Sequence, residues 1–210
     1  MTYLFNNLGY VGQLLLEHLR ITAEVIGIAL VIALPIGVLA ARIRRLQGPI
    51  LGVLGVIYTI PSLSFFVLLI PTFGLGVTSA VIALVAYAQL MLVRNWVVGL
   101  TGIEPSILEA ADGMGMNGWQ RFWRVEFPLA LPLLLAGTRL AVVSTIGIAT
   151  IAAYINAGGL GTLLFEGVTT ANYEKIFAGS LAVSLLAIAA NYLLRYFERR
   201  AEAAIRGELE

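Results

Sequence analysis

The chain has 210 residues, of which 60% are hydrophobic and 12% are charged, and its formal net charge is +1. A soluble domain carries about 25% charged residues, so this composition, with a mean hydropathy of +0.93, excludes a soluble protein and predicts a membrane protein. Since the chain has no cysteine and a single histidine, disulfides and thiolate metal sites are excluded. We expect no metal site, no cofactor in this chain and no nucleic-acid partner.

Continuous apolar runs predict an all-α fold, because the segments of a membrane β-barrel would be short and alternating. A helix needs about 20 residues to cross about 30 Å of hydrocarbon. We expect residues 1–210 to form one transmembrane domain with an amphipathic helix at about 8–19. Five spans are predicted to follow that helix, at about 21–41, 49–70, 77–97, 129–153 and 176–197.

Basic residues predict the direction of the spans, because cytoplasmic loops carry an excess of Lys and Arg. Arg139 falls inside the fourth span and is left out of the comparison. On the side of the N-terminus the predicted spans leave only Arg20 and Lys175. Those on the other side are Arg42, Arg44, Arg45, Arg94, Arg121, Arg124, Arg195, Arg199, Arg200 and Arg206. The N-terminus is therefore predicted outside and the C-terminus in the cytoplasm. This topology makes the loop at about 98–128 cytoplasmic and the loop at about 154–175 external.

The cytoplasmic loop contains GMGMNG, from Gly113 to Gly118, which has the G-x-G-x-x-G spacing of a dinucleotide-binding turn. That motif requires a strand before it and a helix after it, whereas both flanks here are helical in composition. Pro105 and the S-x-x-E pattern from Ser106 to Glu109 predict a helix start, with Glu104 as the alternative N-cap.

The glycines of this stretch are expected to end the first helix, at Gly113 and Gly115. Asn117 is expected to begin a second helix, with Gln120 three residues further on. GMGMNG is therefore interpreted as the corner of a helix-turn-helix.

The stretch EAADGMGMNGWQRFWRVEFP resembles the EAA loop of the inner-membrane permease subunits of binding-protein-dependent ABC importers, written E-A-A-x3-G-x9-I-x-L-P. The positions that match are Glu109, Ala110, Ala111, Gly115 and Pro128, and Val125 and Phe127 replace Ile and Leu. Stretches beginning at Tyr58, Leu131 and Ile146 are similar to the permeases for osmoprotectants such as glycine betaine, choline and carnitine. The resemblance covers more than half of the chain.

This resemblance implies a type I ABC importer core, in which the short cytoplasmic helix docks on a separate ATPase subunit. The coupling residues it implies are Glu109, Ala110, Ala111, Gly113, Gly115, Trp119, Arg121 and Pro128. Trp119, Phe122 and Trp123 are expected to anchor the interface, and Arg121 and Arg124 to pair with acids of the partner. Alternatively, Glu109 acts mainly as a cap and the aromatic residues lie at the membrane interface.

The chain is not expected to hydrolyse ATP, because a P-loop needs a lysine after its glycines and the only lysine, Lys175, is predicted outside. An ion-driven carrier would need acids within the membrane, and only Glu24 falls in a span. We therefore expect ATP and Mg²⁺ to bind a partner ATPase present in two copies. A second permease copy or a paralogue, an extracytoplasmic solute-binding protein and the lipid bilayer complete the expected partners.

Two features suggest where the solute passes. Tyr58, Thr59, Pro61 and Ser62 interrupt the second span in a way that bends a helix around a cavity. Arg139 has two alternative roles. It meets a carboxylate of the solute, or it has a structural role in which it bonds to backbone carbonyls or snorkels toward the cytoplasm. The structural role is favoured, because a cation on the path would repel a quaternary ammonium group.

The external loop contains NAGGLGTLLFEG, which predicts a short helix bounded by glycines. Its candidate residues are Asn156, Gly158, Gly159 and Gly161, and the segment is expected either to dock the binding protein or to seal an outer gate. The function predicted is ATP-driven import of a quaternary-ammonium osmoprotectant in a bacterial or archaeal cytoplasmic membrane. The alternatives are import of another small solute such as an amino acid, and an exporter or pore subunit without a binding protein. An intramembrane enzyme is disfavoured, since no Ser/His, Cys/His or paired-acid set lies in the spans.

Overall fold

The computed structural model describes residues 3 and 6–206, and within these residues every regular element is helical. The α-helices are α1 (Leu8–Arg42), α2 (Arg44–Thr59), α3 (Ser62–Phe73), α4 (Val77–Thr101), α5 (Pro105–Gly113), α6 (Gly118–Arg121), α7 (Phe127–Ala152), α8 (Gly161–Thr169) and α9 (Tyr173–Arg206). A π-helical turn at Phe122–Glu126 joins α6 to α7, and a 3-10 turn at Ala153–Ile155 follows α7.

The long helices account for the membrane spans. In the described part of the chain, α1, α4, α7 and α9 lie in stretches long and apolar enough to cross a membrane, and α2 with α3 supplies a fifth if the bent pair counts as one span. The predicted fold class, an all-α membrane protein with about five spans, is confirmed.

The first helix is longer than a membrane requires. α1 runs over 35 residues, about 52 Å at 1.5 Å per residue, whereas the hydrocarbon layer is about 30 Å thick. The segment 8–19, predicted as an amphipathic helix ahead of the first span, is continuous with that span. The reason is one buried stripe that runs through both segments, made of Leu14, His18, Ile21, Val25, Ala29 and Ala33.

The second span, predicted as one helix over 49–70, is bent by 94° between α2 and α3. Ile60 precedes Pro61 and has an extended backbone with φ −64° and ψ 129°. A residue before proline avoids the α conformation because its backbone would clash with the ring. The interruption expected at this proline is therefore present, and it is a sharp corner rather than a gentle curve.

The core of the bundle is built around α4, which packs against α1, α2, α3 and α7. Glycines let the neighbouring helices approach: a Cβ at Gly37 of α1 would lie 2.4 Å from the Cβ of Trp96, and one at Gly137 of α7 would lie 2.5 Å from the Cβ of Asn95. None of residues 44–59 in α2 is buried. The outer face of α2 is thus open to lipid or to a second chain.

Candidate coupling surface, transport path and outer loop

The loop between α4 and α7 begins with α5, whose first residue is Pro105. Glu104 occupies the N-cap position, and the Ser106 hydroxyl donates to Glu104 Oε1 at 2.7 Å. The capping box predicted from Ser106 to Glu109 is therefore wrong, and the alternative N-cap position, Glu104, is correct. Glu109 is exposed, and no side chain of the described residues caps α5, so the capping role considered for Glu109 is not observed.

The stretch GMGMNG forms the corner between α5 and α6, as predicted. Gly115 has a φ of +77°, a left-handed conformation that glycine adopts without steric cost. Asn117 Oδ1 accepts from the Gln120 amide at 2.9 Å, and Gln120 Oε1 accepts from the Asn117 amide at 3.0 Å. This reciprocal capping box confirms that the second helix begins at Asn117.

Large apolar side chains project from this corner. Trp119 is 72% exposed and Met114 is 69% exposed, and the rings of Trp119 and Trp123 meet edge to face with centroids 5.6 Å apart. Phe122, predicted as a third anchor, is buried against the bundle instead. Exposed aromatic residues on a rigid surface are typical of protein interfaces.

The small residues of the loop divide between the two sides of α5. Ala110 is exposed and Ala111 is buried, while Gly113 is exposed at the last position of the helix. Pro128 is exposed in the first turn of α7. The exposed part of the predicted coupling set therefore lies on and around the α5–α6 corner.

Arg121 is paired within its own chain. Its Nε donates to Glu126 Oε1 at 2.9 Å and its Nη1 to Asp112 Oδ2 at 2.6 Å. The side chain of Glu126 is only 4% exposed, and its other oxygen accepts from Arg42 Nη2. Arg121 is thus paired with acids of its own chain, and its pairing with acids of a partner stays a prediction.

Sequence reasoning missed Glu126. The available signal is an acid inside RFWRVEFP, at the entry to an apolar span. A charge in such a place is costly unless it is paired. A search for cations able to reach it would have found Arg121, but Arg42 is 84 residues away in sequence.

The bend between α2 and α3 borders a pocket of about 200 Å³. Its lining residues are Tyr58, Ile60, Ser62, Tyr87 and Ile148. Two predicted path residues, Tyr58 and Ser62, thus lie at one cavity. Pro61 forms the bend beside it, and the Thr59 hydroxyl donates to the Val56 carbonyl at 2.7 Å.

Tyr87 is a functional candidate that the sequence did not reveal. Its hydroxyl donates to the carbonyl of Ile60 at 2.7 Å, which satisfies a backbone acceptor at the bend. Within a membrane such irregular backbone must find partners in the protein or in a water-filled cavity. Tyr87 lies in an apolar stretch of α4, and only the packing of α4 on α2 brings it to the bend.

Arg139 is paired with α9. Its Nε donates to Glu198 Oε2 at 2.8 Å, and its Nη1 donates to Asn191 Oδ1 at 3.2 Å. The partners are therefore side chains of α9, whereas the favoured prediction was backbone carbonyls or snorkelling toward the cytoplasm. A carboxylate of the same chain thus neutralises the charge of Arg139.

The segment between α7 and α8 is held against α1. The Gly159 amide donates to Glu17 Oε2 at 3.0 Å, and Asn156, Gly158 and Gly159 have positive φ values of 63°, 82° and 78°. A Cβ at Gly161 would lie 2.0 Å from the carbonyl oxygen of Thr150. Close backbone approach to α1 and α7 thus accounts for the glycines here.

A pocket of about 480 Å³ opens beside this segment. It is lined by Glu17, Arg20, Ile21, Glu24, Val77, Asn156, Ala157 and Gly158. The predicted residues Asn156 and Gly158 thus lie at its rim, whereas Glu17, which binds the loop, was not predicted.

Glu166 fastens α8 to its neighbours. Its carboxylate accepts from the Tyr10 hydroxyl at 2.8 Å and from Lys175 Nζ at 3.0 Å. Burial alone would raise the pKa of Glu166, but the hydrogen bonds from Tyr10 and Lys175 outweigh it and the pKa is lowered. The carboxylate is therefore held in its charged form.

The all-α bundle of about five spans, with an exposed helical corner outside them, has the fold of a solved ABC transporter. The MetNI methionine ABC transporter, solved in an inward-facing conformation, has this fold with a TM-score of 0.83. The match covers 91% of this chain and 95% of that chain at 21% identity, so the likeness is one of fold.

Residues 33–203 match the family described as binding-protein-dependent transport system inner membrane component, and the chain belongs to that family. It is 43% identical to the osmoprotectant import permease protein OsmW of Salmonella typhimurium, over 91% of this chain and 92% of that protein. It is also 36% identical to the glycine betaine/carnitine/choline transport system permease protein OpuCB of Bacillus subtilis, over 95% of this chain and 92% of that protein. The chain is therefore a transport subunit rather than an enzyme, and a separate partner hydrolyses ATP.

Proposed function

We propose that this permease imports small quaternary-ammonium osmoprotectants, of the glycine betaine, choline or carnitine class, by alternating access. The observation that carries this proposal is the 43% identity to an osmoprotectant import permease over 91% of the chain. The permease in the second comparison, named for glycine betaine, carnitine and choline, supports the same class. The likeness to the methionine importer concerns the fold, so it does not favour amino-acid import.

The test is uptake by cells that lack their own osmoprotectant importers and that express this permease with its ATPase and binding protein. Labelled glycine betaine, choline and carnitine are compared with methionine, and an ATPase variant without its P-loop lysine serves as the control. At least one quaternary ammonium solute should accumulate only with the active ATPase. Uptake of methionine alone would overturn the proposed class, and uptake without the binding protein would favour the pore-subunit alternative.

We also infer that the α5–α6 corner binds the ATPase, with one ATPase subunit on each of two permease copies or paralogues. ATP and Mg²⁺ would bind to the ATPase subunits and not to this chain. Exposed Trp119, Met114 and Ala110 on a capped, rigid corner support this docking surface. Glu109 adds an exposed charge on the same helix.

The cysteine-free chain allows a direct test of this surface and of the topology. Met114→Cys on the corner is compared with Tyr154→Cys, which is 60% exposed on the 3-10 turn after α7. We expect Met114→Cys to react only from the cytoplasm and to crosslink to single cysteines in the ATPase in a nucleotide-dependent way. Tyr154→Cys should react only from outside, as an external N-terminus and a cytoplasmic C-terminus require. The reverse labelling pattern would overturn the orientation, and cytoplasmic labelling without a crosslink would overturn the docking surface.

For the segment around Asn156, Gly158, Gly159 and Gly161 we propose contact with the extracytoplasmic binding protein. Its attachment to α1 through Glu17 supports this role, because a docked protein could move α1 through that bond. Crosslinking of Tyr154→Cys to the binding protein would support docking. If Tyr154→Cys forms no crosslink and the protection of this segment from solvent changes when nucleotide binds, the alternative of a lid over the outer gate is favoured.

A further inference from the structure

We propose that Tyr58 and Tyr87, with Phe65 packed against Tyr87, form a cation–π site that receives the quaternary ammonium group inside the permease. This inference rests on the substrate class proposed above. A quaternary ammonium ion has no N–H to donate, so the faces of aromatic rings are a suitable protein surface for it. The three rings come from α2, α3 and α4, and the rings of Tyr58 and Phe65, on either side of the bend in sequence, each contact the ring of Tyr87.

The rings stand at right angles around the bend. The centroids of Tyr58 and Tyr87 are 5.8 Å apart with an angle of 89° between the planes, and those of Phe65 and Tyr87 are 5.5 Å apart at 87°. A cation is attracted to a ring face within about 6 Å of its centroid. A small cation in the adjoining pocket, which Tyr58 and Tyr87 line, therefore lies within reach of two rings at once.

The site combines fixed rings with an accessible one. Tyr87 is 4% exposed, and its hydroxyl is tied to the Ile60 carbonyl, so its orientation is set before any solute arrives. Phe65 is half-buried, whereas Tyr58 is 36% exposed and lies at the open side. A solute can thus enter past Tyr58 without rearranging the other two rings.

The pocket has no ionised side chain among its lining residues in the described part of the chain. Attraction by ring faces alone is weaker than an ion pair, and a transport site must release what it binds. The pocket of about 200 Å³ also lies below the range of about 300–1,000 Å³ typical of drug-sized ligands. It therefore suits brief binding of a small solute during passage.

The position of the site supports a place on the transport path. The bend follows a helix of 16 residues that starts at Arg44, so it lies at most about 24 Å along α2 from its start. Broken helices at membrane depth are found where they line a cavity or a binding site. If the rings only braced the bend, their removal would change stability but not cation binding.

The test uses the complex of permease and ATPase in nanodiscs, without the binding protein, and tetramethylammonium as the probe. Binding is measured by saturation-transfer NMR, and neopentyl alcohol is the neutral control of similar shape. Tyr58→Phe keeps the ring and Tyr58→Leu removes it. Tyr192→Leu makes the same change on α9, at a tyrosine that is 65% exposed and lies outside the pocket.

We expect Tyr58→Leu to weaken tetramethylammonium binding about two- to thirtyfold, the range of one cation–π contact. Tyr58→Phe and Tyr192→Leu should stay within about twofold of wild type, and neopentyl alcohol should bind more weakly than tetramethylammonium. Uptake of the quaternary ammonium solute by the complete importer should follow the same order, with Tyr58→Leu reduced and Tyr58→Phe and Tyr192→Leu close to wild type. Tyr87→Leu removes the other ring that lines the pocket and provides a second ring-removing variant if Tyr58→Leu does not assemble.

Equal binding by wild type and both ring-removing variants would overturn the site, as would equal binding of the neutral control. If wild type still imports glycine betaine or choline in that case, the proposed function stands without this site. If wild type imports none of the quaternary ammonium solutes, the substrate class fails and the site fails with it.

Discussion

Arg42, the last residue of α1, and Glu126, just before α7, form an ion pair with 2.5 Å between Nη2 and Oε2. Glu126 also accepts from Arg121, which in turn binds Asp112 of α5. These contacts form a continuous chain of charges from the α5–α6 corner to the junction of α1 and α2. The corner is thus tied to the first span by side chains, although the backbone connects it only to α4 and α7.

Glu126→Gln should destabilise the protein, because it removes the buried negative charge between Arg42 and Arg121 and leaves Asp112 as the only carboxylate bound to Arg121. Loss of a buried hydrogen-bonding partner costs about 1–3 kcal/mol, and the partial exposure of Arg42 favours the lower half of this range. Glu109→Gln is the matched control in the same loop, since Glu109 is exposed. Thermal unfolding in detergent should show a lower Tm for Glu126→Gln only, and equal Tm values would contradict the role of this pair.

Gly37→Ala should also be destabilising, because the new Cβ would lie 2.4 Å from the Cβ of Trp96 and the two helices would have to separate. Overpacking of this kind costs about 1–3 kcal/mol. Gly27→Ala in the same helix meets nothing within 4 Å and should be neutral or stabilising by up to about 1 kcal/mol. Chemical denaturation of both variants measures the difference, and a neutral Gly37→Ala would show that α1 and α4 can move apart freely.

Arg139→Gln distinguishes a structural role from contact with the solute. Because Arg139 is bound to Glu198, we expect Arg139→Gln and Glu198→Gln to reduce transport of glycine betaine and choline by similar factors. Choline lacks a carboxylate, so a direct contact with the solute would instead raise the KM for glycine betaine alone. Uptake kinetics for both solutes in both variants decide between these outcomes.

The stability of the α8 segment should depend on pH through Glu166. Its pKa is lowered from the ordinary value of 4.5, so its contribution to stability is complete above that value and is lost as the pH falls through the lower folded-state pKa. The Tm difference between wild type and Glu166→Gln should be constant above about pH 5.5 and should shrink below about pH 4.5. A difference that does not change with pH would show that the charge of Glu166 does not contribute. Hydrogen exchange of residues 161–169 would locate the effect.

Much of the fold follows from local patterns. Long apolar runs predict the spans, Pro61 predicts the interruption, and Asn117 with Gln120 predicts a helix start, since each depends on residues close in sequence. The Ser106 capping box fails because Pro105 fits the first helical position and leaves Glu104 as the N-cap. Local rules rank such alternatives poorly when two residues only two positions apart, here Glu104 and Ser106, both suit a helix start.

The site could be predicted less completely, because its contacts join distant parts of the chain. Glu126 reaches Arg42, Arg139 reaches Glu198, and Tyr87 reaches Ile60 only after the helices have packed. In the sequence, neither Arg121 nor Arg139 has an evident partner within the chain. Arg121 is therefore assigned to a protein partner, and contact with a solute is considered for Arg139. In the folded chain both are paired with acids: those of Arg121 lie within nine residues of it in sequence, whereas Glu198 is 59 residues from Arg139 and no local spacing rule reveals it.

The unusual length of α1 has a mechanical consequence. Glu17 holds the segment beside α8, and Arg42 of the same helix holds Glu126, about 38 Å further along at 1.5 Å per residue. One helix therefore joins two attachment points that lie far apart in the bundle, the segment beside α8 and the ion-pair network of the α5–α6 corner. Pro35 lies between these two points and removes one backbone hydrogen bond of α1.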